Sequence, residues 1–370
     1  MKKVVKLAVD SAKFDPPLQF DFFATDDRRL TNTIALWDVA PRGVFRLHED
    51  VREERGLKLI KRVFQYGGAT YNVSLTPARF EHLGEVIEKY PGEREQLVEE
   101  VIRQLAVRKN RLSVQGDKGE VGVGVSFSLY EIFKELERTG HKFSYAEIRE
   151  ALNILHMSRV EIVRMIDEGG KKIERVVSGT TFPNLVWGDR NDADTMTKVS
   201  FNWLMSHSMM RLDFRQISYE LLMRMPGPIE RWLYRCISHD VFFFGSDGRS
   251  HIIRGADVID GSGAVRRKRT RENLRRVHDA LDWLKNEGLI VTFDASGVFE
   301  GRRKVDAEFT IVLSDSFTRD VAASNAVAEQ NRRDFEVISG GAPDEFVPAN
   351  FERRAAVRRI RAARALSDSK

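Results

Sequence analysis

The feature that most limits the fold is a change of hydrophobic period that occurs twice along the chain. Between residues 93 and 157 apolar residues recur at helical spacing, and from 160 to 177 they switch to the alternation of strands. Gly92 precedes EREQLVEEVIRQLAVRK, where Leu97, Val98, Val101, Ile102 and Leu105 share one face and Glu93 and Glu95 favour the helix dipole. Ser128 is placed to cap a second helix with Leu129, Ile132, Phe133 and Leu136 inward. Ser144 is placed to cap a third, with Ile148, Ala151, Leu152 and Leu155 inward. VEIVRM (160–165), a turn at Asp167-Glu168-Gly169-Gly170 and IERVV (173–177) then read as a hairpin. The order recurs in SYELLMRM, in PIERWLYRCISHDVFF with Pro228 at a tolerated first position, and in a short helix near 254–260. A helix capped by Thr270 and running to Asn286 follows, then strands at 289–294 and 307–314. Three helices and a hairpin, twice over, predict an α+β chain of two tandem winged-helix (helix-turn-helix) domains.

The 370 residues suit two or three domains. Residues 1–56 read as an N-terminal arm, with a turn at Asp15-Pro16-Pro17 and the aromatics Phe20, Phe22 and Phe23, and as a candidate oligomerisation element. Winged-helix domain 1 is expected over 57–190, opening with a hairpin about Gly67-Gly68, and domain 2 over 191–318. Residues 319–370 read as a linker, GGAPDEFVPAN, and an Arg-rich, helix-prone tail carrying Arg353, Arg354, Arg358, Arg359, Arg361 and Arg364.

Several classes of chemistry find no support. GEVGVGVS (119–126) lacks the GK[ST] of a P-loop and is not set in a βαβ unit, so it reads as a loop or hairpin. The single cysteine, Cys236, sits in an amphipathic segment and is expected in the core; it excludes an internal disulfide and a cysteine zinc site. The eight histidines form neither HExxH nor the His-hydrophobic-His pair of a metal-dependent nicking enzyme. Asp26-Asp27 and Glu99-Glu100 read as parts of unrelated charged faces. No catalytic centre, metal or cofactor is expected, and a binding protein is favoured over an enzyme. The N-terminus is too polar for a signal sequence and no run of about 18 apolar residues occurs, so a cytoplasmic protein without a membrane partner is expected.

The net charge of +5 is modest for this length, so placement matters more than the total. VRRKRTRENLRR (265–276) holds seven basic residues, Arg266, Arg267, Lys268, Arg269, Arg271, Arg275 and Arg276, against one acid, Glu272. With Thr270 it spans the start of the helix expected to enter a DNA groove. Cations there oppose the helix dipole unless an anion is bound, and arginine's fork can read guanine in the major groove. Arg271 and Arg275 lie opposite the stripe Leu274, Val277, Leu281 and Leu284, while His278 can touch DNA or be partly buried. Arg302, Arg303 and Lys304 fall where the hairpin should turn. Domain 1 is less basic: Lys142, Tyr145, Arg149, Arg159 and Arg164 surround its third helix, with Lys171 and Lys172 near its turn, and it serves either DNA binding or dimerisation.

SLYEIFKELERTG with SYAEIREALNILHMSRVEIV, and MMRLDFRQISYELLMRMPGPIERWLYRCISHD, resemble the two winged-helix domains of RepA/RepE-type replication initiators of iteron plasmids. The likeness extends to RctB-type initiators of secondary chromosomes and covers residues 57–315. Gly227-Pro228-Ile229-Glu230-Arg231 departs from the Ser-Pro-Leu-Ala-Arg usual in that family. The resemblance implies binding to double-stranded direct repeats at an origin, melting of AT-rich DNA with its single strand as a further ligand, and recruitment of host DnaA and the DnaB helicase. It also implies a homodimer that represses its own promoter in equilibrium with an initiating monomer. A winged-helix transcription regulator is the alternative.

Overall fold

The computed structural model describes residues 16–45, 52–53, 56–66, 69–82, 84–115, 122–168, 171–188, 196–239, 243–244, 250–343, 347 and 349–367. Residues 16–45, the described part of the expected arm, are core rather than arm, and residues 1–15 lie outside the described residues. Helix α1 (Leu18–Phe23), strand β1 (Leu30–Thr33) and helix α2 (Ala35–Val39) bury Phe20, Phe22, Phe23, Trp37 and Val39. Three aromatics within one helix turn and a half are too apolar to stay in water, each side chain gaining about 1.5–3 kcal/mol by burial. β1 is fixed at long range, pairing antiparallel with residues 215–218.

Strands β2 (Arg52–Glu53) and β3 (Gly56–Leu57) pair with each other. The expected hairpin follows as β4 (Ile60–Tyr66) and β5 (Ala69–Thr76), with Gly67-Gly68 outside the described residues, and β6 (Ala78–His82) pairs with β7 (Glu85–Lys89). Helix α3 (Glu93–Ala106) starts at Gly92, whose N–H donates to Glu95 at 2.7 Å. Its apolar stripe is buried as expected, but Glu99, Glu100, Arg103 and Gln104 on the other faces are buried too. These are not solvated faces. Asp38 accepts from Arg103 Nη2 at 2.7 Å and from the Ile34 N–H at 2.7 Å. Glu99 accepts from Trp37 Nε1 at 3.0 Å and Arg42 Nη1 at 2.9 Å, and Glu100 is paired with the buried Arg235. Burial alone would raise the Asp38 carboxyl; Arg103, Arg235 and Arg42 overcome it and hold it well below the usual carboxylate range.

Strands β8 (Leu112–Gln115) and β9 (Gly122–Phe127) precede α4 (Leu129–Arg138) and α5 (Tyr145–Met157). The glycine-rich 119–126 segment thus contributes to a strand, with its first residues outside the described ones. Ser128 and Ser144 cap their helices, each accepting from the backbone N–H three residues on, and Glu131 and Glu147 close the reciprocal bonds. Strands β10 (Arg159–Glu168) and β11 (Lys171–Thr180) form the first hairpin, whose Gly169-Gly170 turn is not described; the side chains of Lys171 and Lys172 are not described either. The hairpin is not free-standing, because β10 also pairs with β5 in a sheet ordered β11-β10-β5-β4. Strands β12 (Leu185–Val186) and β13 (Thr197–Ser200) complete a sheet ordered β12-β13-β9-β8.

Helix α6 (Trp203–Met210), strand β14 (Arg215–Ser218) and helix α7 (Tyr219–Arg224) lead to α8 (Pro228–Ser238), in which Cys236 is fully buried as expected. Strands β15 (Phe243–Phe244) and β16 (Ser250–Arg254), helices α9 (Gly255–Gly261) and α10 (Thr270–Asn286), and strands β17 (Ile290–Glu300) and β18 (Arg303–Leu313) follow. The sheet runs β15-β16-β18-β17. The second half is locked to the first through α8. Arg231 is paired with Glu93 and donates to Gln96 at 3.1 Å, and Trp232 Nε1 donates to the Val39 carbonyl at 2.8 Å. Arg62 of β4 adds a second tie, donating to Gly43 O at 2.5 Å, Pro41 O at 2.9 Å and Gly263 O at 3.3 Å. Gly263 has φ +74°, and a Cβ there would strike the Gly43 carbonyl, so the approach needs glycine.

The Arg-rich end is not a free tail. α11 (Asp315–Ser339) is capped by Ser314, and α12 (Phe351–Ser367) packs on α1 and α11 with Val357 buried. Arg361 donates to Ala24 O at 3.0 Å, Arg354 lies 3.4 Å from Asp21, and Arg364 is paired with Asp334. Arg358 and Arg359 remain exposed. Among the described residues no helix is long and apolar enough to cross a membrane.

Two outcomes follow from the buried charges. Arg235→Met, which leaves buried Glu100 with only Arg103 at 3.7 Å, should cost about 3–5 kcal/mol in urea unfolding. His239 bonds Thr33 Oγ1 at 3.1 Å, and burial, aided by Arg215, Arg235 and Arg103 against the pull of Asp38, depresses its ring from 6.5 to about 3. The unfolded chain therefore binds the extra proton first. Stability should rise with pH between about 3 and 6.5, and His239→Gln should flatten that part of a melting-temperature profile.

Candidate functional site

α10 forms because Val277, Ala280, Leu281 and Leu284 recur at helical spacing and are all buried. The opposite face carries Arg271 and Arg275 as the sequence suggested, but Leu274, read as part of the inward stripe, is only half-buried and lies beside them. Thr270, Arg271, Leu274, Arg275 and His278 form one wall of a groove of about 640 Å³, and Ala295, Lys304, Ala307 and Phe309 of the β17–β18 hairpin form the other. The Arg275 side chain is 82% exposed and faces Asp279 at 3.7 Å, a surface pair that binds weakly. Arg271 and Lys268 are exposed, and Arg269 is exposed with Glu272 at 4.0 Å. At the far end of the hairpin Gly301, with φ +62°, and Arg302 make the turn, so Arg302, Arg303 and Lys304 all stand in solvent.

Not every cation of the basic run faces outward. Arg266 is held by Asp260, Nε 3.2 Å and Nη2 2.5 Å away, and Arg276 Nη1 turns back to donate to Val265 O at 2.8 Å. Arg267 is half-buried. Thr270 is the first helical residue rather than the cap: Arg269 occupies the cap position, and its side chain makes no cap bond. Asn273 does the local ordering instead. Its Oδ1 accepts from Arg267 N at 2.7 Å and its Nδ2 donates to Arg267 O at 2.9 Å, which closes the segment before the helix.

His278 settles on the exposed side. Nδ1 lies 3.0 Å from Asp282 and the ring meets Phe293 edge-on at 4.9 Å. Its signal is the spacing of three and seven residues from Arg275 and Arg271, which sets all three along one helix face.

In the first half, α5 is differently employed. Tyr145 stacks on Phe133 at 5.0 Å, the Arg149 guanidinium sits 4.3 Å over Trp187, Arg164 lies 5.8 Å over Tyr71, and Arg159 Nε donates to Ser178 Oγ at 2.8 Å. Lys142 is exposed. Glu150 on the same helix binds Lys89 and Arg94, each at 2.7 Å, and β6 packs along α5. Arg149 is thus half-buried on Trp187, whereas Lys142, Tyr145, Arg159 and Arg164 stay exposed with surface contacts only.

No protein-family model matches this chain, and no curated protein sequence matches it. Among solved structures it is similar to domains 2 and 3 of RctB in a selenomethionine crystal form, at 11% identity and TM-score 0.43, over 74% of this chain and 99% of that one. A second crystal structure of RctB domains 2-3 is similar at 10% identity and TM-score 0.42, over 77% and 98%. The Pi initiator protein in complex with iteron DNA is similar at 10% identity and TM-score 0.35, over 60% and 91%.

Asn273→Ala should release the segment before α10. Loss of hydrogen-exchange protection at the Arg267 amide and about 1–2 kcal/mol of stability are expected; an amide that stays protected would show that Asn273 does not hold the turn.

Proposed function

We propose that the chain is a sequence-specific DNA-binding replication initiator, built on two tandem winged-helix units of which the second is the principal reader. The observation that carries the reading is the α10–hairpin groove, where Arg271, Arg275 and Lys304 face one space and Arg302 and Arg303 extend it. A B-DNA major groove about 12 Å wide admits one helix, so Arg271 and Arg275 reach base edges while the hairpin turn reaches the flanking backbone. Lys268 and Arg269 meet phosphate at the helix start, where the uncapped amides already favour an anion. Lys142, Tyr145, Arg149 and Arg159 give the first unit a lesser part, because its cations are fewer and Arg149 is laid over Trp187.

The initiator part rests on the sequence resemblance to RepA/RepE-type proteins. On that reading the ligand is a tandem direct repeat of about 20 bp at a plasmid or secondary-chromosome origin, a length two such units span in successive major grooves. Melting of adjacent AT-rich DNA and recruitment of DnaA and DnaB belong to the same reading. So does a homodimer that represses and a monomer that initiates. The chain does this by binding, without catalysis of its own.

Arg271→Ala and Arg275→Ala should each weaken binding to the repeat by about 1–3 kcal/mol and relax base preference at one position. Affinity should also fall steeply with salt. Binding that random-sequence competitor displaces as well as the repeat does would remove the initiator reading. Its genetic counterpart is transformation: the gene with its flanking DNA should let a marker lacking an origin form colonies, and the Arg271→Ala, Arg275→Ala double variant should not.

A further inference from the structure

The hairpin carries a feature that phosphate binding does not explain. Phe299 is 60% exposed, two residues from the turn at Gly301-Arg302. Its strand register pairs it with Lys304, one residue being left over because Val298 opposes Asp306 across a bulge. Alternation then sets Phe299 on the same face as Ala295 and Gly297, and Ala295 and Lys304 line the groove that Arg271 and Arg275 face. Gly297 makes room for the ring. A Cβ at 297 would lie 2.6 Å from Phe299 Cε2 and within 3.4 Å of the Lys304 side chain, so the ring rests over a bare backbone next to an ammonium stem. A single exposed aromatic is ordinary on a protein surface. An aromatic on the groove side of a hairpin, seated on glycine and flanked by Arg302, Arg303 and Lys304, is placed against an anionic partner with flat apolar faces.

Resting on the DNA-binding reading above, we propose that Phe299 is a wedge: its ring enters a base step in the minor groove beside the site read by α10, stacks on an opened base and bends the duplex. The three cations hold the backbones on either side, which offsets the cost of unstacking. Gly297 positions the ring by leaving it its seat.

The test uses the full chain and a duplex that it enriches from a random 30-bp pool. Phe299→Ala should bind that duplex about tenfold more weakly and reduce the bend read by energy transfer between dyes at its two ends. Phe299→Trp should restore both, and Gly297→Val, which displaces the ring, should resemble Phe299→Ala. Unchanged affinity and bend in Phe299→Ala, with Arg302→Ala and Arg303→Ala still weakened, would overturn the wedge and leave DNA binding standing. A loss confined to the single-stranded form of the same sequence would overturn it too, in favour of stacking on unpaired bases. If the wild-type chain enriched no duplex at all, the DNA reading would fall first and the wedge with it.

Discussion

Everything in this molecule is arranged around charges on helix α3 that never meet water. Three guanidinium groups, Arg42, Arg103 and Arg235, face three carboxylates, Asp38, Glu99 and Glu100, in a cluster with no net charge. Its members come from the N-terminal segment, from α3 and from α8. Such clusters gain little over apolar packing, because desolvation cancels much of the attraction. Their effect is on alternatives. Any other seating of α8 on α3 would leave an ion buried without its partner, at a cost of several kcal/mol. The Arg62 clamp on Pro41, Gly43 and Gly263 repeats the device at the other end of the contact, with the guanidinium pushed down to about 10 by its burial.

Against that fixed frame the groove of the second half is an open, uncompensated surface. The same residue type plays both parts: Arg42, Arg103 and Arg235 are matched by carboxylates in the interior, whereas Arg271, Arg275 and Arg302 have at most weak surface partners. The basic run itself divides between the two roles, since Arg266 and Arg276 shape the approach to α10 and their neighbours face outward. A ligand that satisfies the outward set finds its walls already in place, one on a helix packed by Val277, Leu281 and Leu284, the other on a four-stranded sheet. Little ordering entropy then opposes binding.

What could be read from the sequence follows physical range. Ser128 and Ser144 announce helices because capping is a matter of three residues, and both caps are present. Arg271 and Arg275 could be set opposite an apolar stripe because helical period needs only the local chain. Glu99 and Glu100 could not be read as buried, since a carboxylate looks solvated until its partner is brought to it, Arg42 from 57 residues away for Glu99 and Arg235 from 135 for Glu100. Phe20, Phe22 and Phe23 looked like an arm for the same reason: their strand neighbour β1 finds its partner only in β14. Thr270 misleads at shorter range, as a residue suited to capping stands one position inside the helix, and Asn273 takes over the ordering of the turn. The C-terminal arginines looked free because α11 is long and sparsely apolar, and its contact through Phe335 with Phe22, rings 5.9 Å apart, joins opposite ends of the chain.

That last contact sets an order of events. α1 is made long before α12, and the backbone ties between their flanks, Leu18 N to Val347 O at 2.7 Å and Ala349 N to Pro16 O at 2.9 Å, close only when both exist. During synthesis Phe23 can meet Phe214 part-way, rings 4.9 Å apart, but Phe22 must wait for Phe335 while more than three hundred residues leave the ribosome. A nascent chain of this kind exposes sticky surface for tens of seconds at ordinary rates of about 5–20 residues per second. The phenylalanines that anchor the finished protein are thus also what a holding chaperone would grip while it is being made.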